Sequence, residues 1–352
     1  MNTCHKQIIQ IFKTKNQFVI NNFMFNPYPD LPHKIRCYVL NSVIGQGAYS
    51  IVYKATNVIY NIDFAVKVVG KSKVCEHNTL AYEAEVNSLT KLDHPNVIRL
   101  YDFFNEDNHL FLVLEFCSGG ALEDKIVNKE EISDENKIKI CVQIISALKY
   151  CYDMSVAHQD IKTSNILFDK NGRIKIADFG LSGFIKHDEN INEHRGTLSY
   201  SAPEVCQSTS FNPFKSDIWS LGVLFYRLFT YSYPFEGNTK EDLKRSIING
   251  YYQEKLTGQI RKAVKMMLVV NPDERISIED LSKMDLFRIK KQSSLLPNLR
   301  SRSKLVPGNS LNIKLSKKKS FLLYHQSFDE LPSPLRHHSF HMKSHPTAFG
   351  NF

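Results

Sequence analysis

Features that define several protein classes are missing from this sequence of 352 residues. No segment approaches the roughly 18 uncharged apolar residues of a membrane-spanning helix, and the N-terminal residues lack the continuous apolar core of a secretory signal. The seven cysteines are odd in number, and no two of them stand at C-x-x-C spacing, so neither a disulfide framework nor a zinc site is indicated. These absences favour a protein of the cytoplasm, with the nucleus as an alternative.

Acidic residues are scarce at the C-terminal end of the chain. Residues 289–352 hold eleven of the 45 basic residues and two of the 36 acidic residues. The net charge of +9 therefore belongs to this tail, and specific nucleic-acid binding is a weak inference from it. The tail is rich in Ser, Lys and His, and we expect it to be disordered because it has little apolar surface to bury.

One part of the tail, residues 311–323, resembles a basic amphipathic segment. Such a segment is typical of a calmodulin-type or other partner site, of a nuclear localisation signal, or of a patch that binds anionic membranes. Because basic runs of this kind are common, we favour the alternative of a disordered, solvated tail without a partner.

Hydrophobic patterning divides the chain into a strand-rich part and a helix-rich part. Residues 1–37 are rich in Asn and contain three prolines, so we expect a flexible extension there. The pattern predicts strands at 38–44, 51–55, 64–69, 96–103 and 109–116, a helix around 80–92 with Thr79 as its cap, and helices at 135–153 and 217–230. Strands followed by helices indicate an α+β fold with a cleft between two lobes.

Two features of the strand-rich part suit phosphate binding. Gly45-Gln46-Gly47 joins the first two predicted strands; backbone without Cβ atoms can approach a phosphate closely, although a tight turn explains the glycines equally well. Lys67 lies on the next strand between apolar neighbours, so its ammonium would sit in a cleft and require an anionic partner. Glu85 in the following helix can supply one.

Three polar side chains of the helix-rich part, Asp160, Asn165 and Asp178, each adjoin a short apolar run. Carboxylate and amide oxygens are ligands that Mg²⁺ prefers, and a further carboxylate can accept the proton of a substrate hydroxyl. Ala202-Pro203-Glu204 closes an interval of 26 positions after Asp178 with little apolar content, which indicates a mobile loop.

The order and spacing of these motifs resemble the eukaryotic protein kinase family over residues 38–288. The resemblance implies a bilobal fold with a strand-rich N-lobe (38–114), a hinge (115–120) and a helical C-lobe (121–288), with ATP in the cleft. The chain is most similar to the serine/threonine type and, within it, to the calcium/calmodulin-dependent-like group. A pseudokinase scaffold that binds ATP without turnover is the alternative.

The resemblance also assigns roles by position. Asp160 orients and deprotonates the substrate hydroxyl, Lys162 lies near the transferred phosphoryl group, and Lys67 holds the phosphates of ATP. Asn165 and Asp178 bind Mg²⁺. The positions assigned to ATP binding are Gly45, Gln46, Gly47, Ser50, Val52, Ala65, Lys67, Glu85, Leu114 as gatekeeper, Glu115, Cys117 and Leu167. The positions assigned to structure or regulation are His158, Glu193, Thr197, Glu204 paired with Arg275, and Asp217.

Two departures from the family pattern concern the phosphate loop and the activation loop. Ser50 replaces a third glycine, which many family members tolerate. Gln159 stands where an arginine normally binds a phosphorylated activation-loop residue, and Glu193 lies in an acidic stretch just before Gly196. We hypothesise that activity does not require phosphorylation of this loop; a solvated acidic loop is the alternative.

A third departure concerns the substrate. Relatives that prefer basic substrates carry acids at the positions of Ala121 and Ser164. A preference for arginine upstream of the acceptor is therefore in doubt, unless Glu123 compensates.

Overall fold

The computed structural model describes residues 27–288 except residues 29, 48–49, 71–75, 185–190, 192–195 and 208–209. The predictions made for Glu193, for the basic tail and for its segment 311–323 therefore lie outside the described residues. In the part that is described, no helix has the length and apolar character needed to span a membrane.

The strand-rich part forms a six-stranded antiparallel sheet in the order β1-β2-β3-β4-β6-β5. Alternation along β3 and β4 buries one face of each strand, which includes Tyr53 and Val66, and leaves the other face half-buried. Val52 lies opposite Lys67 in the register of this pair, so both side chains stand on the half-buried face. The strands are β1 (His33–Ile35), β2 (Tyr38–Gln46), β3 (Ser50–Asn57), β4 (Ile62–Gly70), β5 (Leu100–Glu106) and β6 (His109–Glu115).

The end of the predicted flexible extension is ordered. His33–Ile35 pairs with the start of β2 and adds an edge strand to the sheet. Tyr28 is buried and stacks on His33 with ring centroids 4.2 Å apart. The prediction of a flexible segment up to residue 37 is therefore wrong for this edge strand, because pairing and aromatic packing order a segment that has no strong local pattern.

The remaining part is helical and is organised around one buried helix. Neighbouring elements cover this helix, Pro213–Thr230 (α5), on nearly every side, and Trp219, Leu221 and Phe225 are fully buried. Within the described residues, the α-helices are α1 (Glu76–Lys91), α2 (Leu122–Val127), α3 (Asp134–Asp153), α4 (Pro203–Gln207), α5 (Pro213–Thr230), α6 (Lys240–Asn249), α7 (Gly258–Met267) and α8 (Ile278–Lys283). Two short antiparallel pairs, β7 (Val156–Ala157) with β10 (Gly183–Phe184) and β8 (Ile166–Phe168) with β9 (Ile174–Ile176), complete the predicted α+β, bilobal fold.

Several element boundaries differ from the predictions for local reasons. Helix α1 begins at Glu76, so Thr79 lies inside it and is not its cap. Helix α5 begins at Pro213, four positions earlier than predicted, because the Asn212 side chain accepts hydrogen bonds from two N–H groups of the first turn. Strand β5 begins only at Leu100.

Candidate active site

The centre of the cleft is an ion-paired chain of three residues from three separate elements. Lys67 Nζ on β4 lies 2.6 Å from Glu85 Oε2 on α1 and 2.9 Å from Asp178 Oδ1 after β9. Burial lowers the pKa of Lys67, but the two carboxylates outweigh it and the net pKa lies above the usual value. Lys67 is therefore a fixed cation between the lobes.

Asp178 is held in an unusual backbone conformation. Its φ of 65° lies in the left-handed region, which non-glycine residues seldom adopt outside functional sites. The next residue, Phe179, is fully buried and contacts the His158 ring with centroids 4.6 Å apart. The ammonium of Lys67 lowers the pKa of Asp178 to about 2, so this carboxylate is ionised at neutral pH.

A second cluster joins the catalytic loop to the loop before α4. Lys162 Nζ lies 2.6 Å from Asp160 Oδ2 and donates to Thr197 Oγ1 at 3.1 Å. The Thr197 hydroxyl in turn donates to Asp160 Oδ1 at 3.2 Å. The structure thus places the predicted base, the predicted phosphoryl-binding lysine and Thr197 in one triangle.

Asn165 is oriented by its own loop. Its Nδ2 donates to the Asp160 carbonyl at 2.9 Å and to Asp160 Oδ2 at 3.2 Å, which leaves the amide oxygen as its acceptor atom. The Ala177 N–H donates to the Asn165 carbonyl at 2.9 Å, so Asn165 adjoins the residue before Asp178. An amide oxygen and an ionised carboxylate fit Mg²⁺, which takes few protein ligands when phosphate supplies the rest.

The catalytic loop is supported from the buried helix α5. Asp217 accepts the backbone N–H groups of His158 and Gln159 at 2.7 and 2.8 Å. His158 Nδ1 accepts the N–H of Asp160 at 3.2 Å, which makes Nε2 the protonated nitrogen that donates to the Ala177 carbonyl at 3.1 Å. His158 is thus a neutral, fully hydrogen-bonded side chain.

The predicted glycine loop connects the paired strands β2 and β3. Gly45 pairs with Val52 and Gln46 with Ile51, and the Gly47 N–H donates to the Ser50 carbonyl at 2.8 Å, which closes the glycine loop.

Strand pairing also positions the predicted gatekeeper, Leu114, and the predicted ATP-binding residue Leu167. Leu114 on β6 lies opposite Ala65 on β4, and Leu167 on β8 bridges to Ala121 after the hinge. Burial raises the pKa of the hinge thiol Cys117 to about 12, so it is an uncharged wall of the cleft and not a nucleophile.

The predicted pair of Glu204 and Arg275 also forms. Arg275 Nη1 and Nη2 lie 2.7 and 3.0 Å from the two carboxylate oxygens of Glu204. This pair anchors the end of the loop that carries Thr197 to the helical lobe.

Sequence reasoning missed two ion pairs beside the site. Lys175 on β9 is buried and lies 2.7 Å from Glu115 Oε2, which ties the hinge to the floor of the cleft. Its sequence signal, a lysine between two apolar residues, is the same one that singled out Lys67. The second pair joins Glu123 to Arg227.

Comparison with known proteins accounts for this arrangement. The model of the protein kinase domain matches residues 38–287. The chain belongs to the protein kinase family. Among curated relatives, serine/threonine-protein kinase kin-29 of Caenorhabditis elegans is 33% identical over 250 residues, which is 70% of this chain and 30% of the relative.

Two further relatives are also named as kinases. NUAK family SNF1-like kinase 1 of Homo sapiens is 34% identical over 247 residues, 70% of this chain and 37% of the relative. Putative sperm motility kinase W of Mus musculus is 36% identical over 242 residues, 68% of this chain and 48% of the relative. The predicted family, its serine/threonine type and the calcium/calmodulin-dependent-like group are confirmed. The chain spans less than half the length of each of these relatives.

Proposed function

We propose that this kinase transfers the γ-phosphoryl group of ATP to serine or threonine hydroxyls of protein substrates. The observation that carries the proposal is the bridge of Lys67 between Glu85 and Asp178, which sets a cation and a metal-binding carboxylate side by side. The names of the matched relatives support the same reaction.

Some of the site residues stabilise charge during phosphoryl transfer, and others position the reactants. Lys67 compensates the negative charge of the nucleotide phosphates, and Asn165 with Asp178 would hold Mg²⁺. When bound, this ion spreads the charge of the phosphate oxygens. Asp160 accepts the proton of the substrate hydroxyl, and Lys162 offers a cation beside it.

Thr197 supports a Ser/Thr acceptor in particular. Its hydroxyl contacts both Asp160 and Lys162, so the loop that carries it is fixed against the base. A pseudokinase scaffold is disfavoured because the residues needed for turnover are present and contact one another. These residues are Lys67, Glu85, Asp160, Asn165 and Asp178.

Phosphoryl transfer from radiolabelled ATP to a mixture of Ser- and Thr-containing peptides tests this proposal. The wild type should label the peptides in the presence of Mg²⁺, whereas Asp178→Ala should not. Lys283→Ala, on the exposed face of α8, is the matched control because its pairing with Asp280 is solvated. Labelling that persists at wild-type level in Asp178→Ala would refute the assigned site.

We also propose that this activity does not depend on phosphorylation of the activation loop. Gln159 brings no charge to the position where relatives carry the arginine that would bind such a phosphate. Protein treated with phosphatase should retain its kcat. Loss of activity after the treatment would count against this proposal. Gln159→Arg, which supplies the missing cation, should make kcat depend on phosphorylation of the activation loop.

A further inference from the structure

Two buried serine hydroxyls join helix α1 to the segment that follows Asp178. Ser88 Oγ on α1 lies 2.7 Å from Ser182 Oγ, and the two residues are 1% and 4% exposed. The Ser182 hydroxyl donates to the Phe179 carbonyl at 2.6 Å. A hydroxyl has one hydrogen to donate, so Ser88 must be the donor to Ser182. Ser88, Ser182 and the Phe179 carbonyl thus form a directed chain of hydrogen bonds, which we call the hydroxyl relay.

The hydroxyl relay runs beside the ion-paired chain at the centre of the cleft. Ser88 stands three positions after Glu85 and therefore lies one turn further along the same face of α1. Ser182 stands four positions after Asp178. Between them, a Cβ added to Gly180 would lie only 3.8 Å from Glu85 Oε2. Helix α1 and the segment after Asp178 are therefore in close contact and are joined both through the cleft lysine and through the two hydroxyls.

The orientation of Ser88 differs from that of another hydroxyl on the same helix. Serine and threonine within a helix commonly donate to the carbonyl four positions earlier. Thr90 does so, with Oγ1 at 2.8 Å from the Val86 carbonyl. Ser88 instead donates away from its own helix, to a segment 94 positions later. Thr90 is therefore a matched hydroxyl that lies outside the relay.

The two connections differ in what competes with them. In the complex with ATP, Lys67 is assigned to the phosphates and Asp178 to Mg²⁺, so the ion pair between them meets competition from these ligands. The hydroxyls of Ser88 and Ser182 are buried, and neither a phosphate nor a metal ion competes for them. The relay can therefore hold the segment against α1 while Lys67 and Asp178 contact the nucleotide and its metal.

We propose that Ser88 and Ser182 are positioning residues for the binding of ATP with Mg²⁺, which act by holding the backbone next to Asp178 against α1. This inference rests on the proposed Ser/Thr kinase function and deepens it by naming residues that set nucleotide affinity without touching the nucleotide. A neutral hydrogen bond changes an equilibrium constant by roughly 2- to 12-fold, and a smaller binding-competent population weakens apparent affinity in proportion.

The test compares wild type, Ser88→Ala and Thr90→Val by calorimetric binding of a non-hydrolysable ATP analogue. With Mg²⁺ present, Ser88→Ala should raise the Kd of the analogue by about 2- to 10-fold. With EDTA instead, wild type and Ser88→Ala should agree within about twofold, because Asp178 acts through the metal. In the kinase assay KM for ATP should rise for Ser88→Ala while KM for the peptide stays unchanged. Thr90→Val should match the wild type in every measurement.

The direction of the hydrogen bonds gives a second, independent outcome. Ser182→Ala removes both bonds of the relay and leaves the Phe179 carbonyl without its hydroxyl donor, so it should weaken binding more than Ser88→Ala does. Ser88 acts only through Ser182, so adding Ser88→Ala to Ser182→Ala should weaken binding no further. If Ser182→Ala does not fold, Ser88→Ala decides by itself.

Three results would overturn the proposal. These are an unchanged Kd with Mg²⁺ for Ser88→Ala, an equal loss of affinity in EDTA, and effects of Ser88→Ala and Ser182→Ala that multiply in the double variant. The affinities require no turnover. A failed relay therefore leaves the labelling of peptides by the wild type intact, whereas failure of the proposed function appears as a wild type that binds the analogue and labels no peptide.

Discussion

The buried ion pair of Arg275 and Glu204 allows a worked prediction about stability. The guanidinium is 1% exposed and donates to both oxygens of Glu204 at 2.7 and 3.0 Å. It also donates to the backbone carbonyls of Val269 and Lys215. The variants compared below change Arg275, Glu204 or both, and no other charged residue.

Arg275→Met leaves the Glu204 carboxylate in a buried site without its cation. Breaking a buried pair from one side costs about 3–5 kcal/mol. Glu204→Met should cost somewhat less, roughly 2–4 kcal/mol, because the guanidinium keeps its two carbonyl acceptors. The double variant removes both charges and leaves mainly the two carbonyls unsatisfied, so its cost should be about 2–4 kcal/mol, well below the sum of the single variants.

Urea unfolding of the four proteins at pH 7 measures this cycle. In thermal unfolding of the same proteins, we expect Arg275→Met to lower Tm by roughly 6–20 °C, from about 2–4 °C per kcal/mol for a domain of this size. Lys283→Met is the control, since Lys283 and Asp280 are 68% and 67% exposed and solvent screens their pairing, so its loss should leave stability essentially unchanged. Costs that add in the double variant, or an Arg275→Met cost within about 0.5 kcal/mol of the control, would refute the reasoning.

Three further predictions concern the active site. Lys67→Met should lower kcat by at least about 100-fold, because a preorganised cation at the phosphates is lost; equal labelling by wild type and variant would contradict its role. Thr197→Val should lower kcat on a Ser peptide by about tenfold or more, whereas Thr197→Ser, which keeps the hydroxyl between Asp160 and Lys162, should retain most of it. Burial lowers the pKa of His158, so wild-type stability should fall as pH decreases through the unfolded-state value of about 6.5, by at most about 1.4 kcal/mol per pH unit. Urea unfolding at pH 7 and pH 5 should show a smaller loss for His158→Gln, and equal losses would exclude His158 as the titrating group.

The local sequence pattern predicted the strands and helices that carry the site residues, but it did not predict that these residues come together in space. The apolar alternation around residue 67 predicted strand β4 and a lysine in need of an anion, and both are observed. Lys67 and Asp178 are 111 positions apart, and no periodicity links residues at such a distance. Only the order of motifs, through the family resemblance, predicted that they meet.

The wrong boundaries share a cause, which is that tertiary contacts override the local pattern. Asn96 was predicted to begin a strand, yet its side chain donates to the Ile174 carbonyl and to Gln143, so the strand starts later at Leu100. The edge strand at His33–Ile35 forms because β2 offers it a partner. In both places the deciding hydrogen bonds come from segments far away in sequence.

Substrate selection shows most clearly why a charge count is insufficient. The sequence presents Glu123 as an acid after the hinge and Arg227 as a basic residue in a mostly apolar helix, and nothing in the local pattern links the two. Their contact spans 104 positions, so the carboxylate that was considered as a substrate contact is paired with a guanidinium. A carboxylate acts on a peptide only through the field that its partners leave uncompensated.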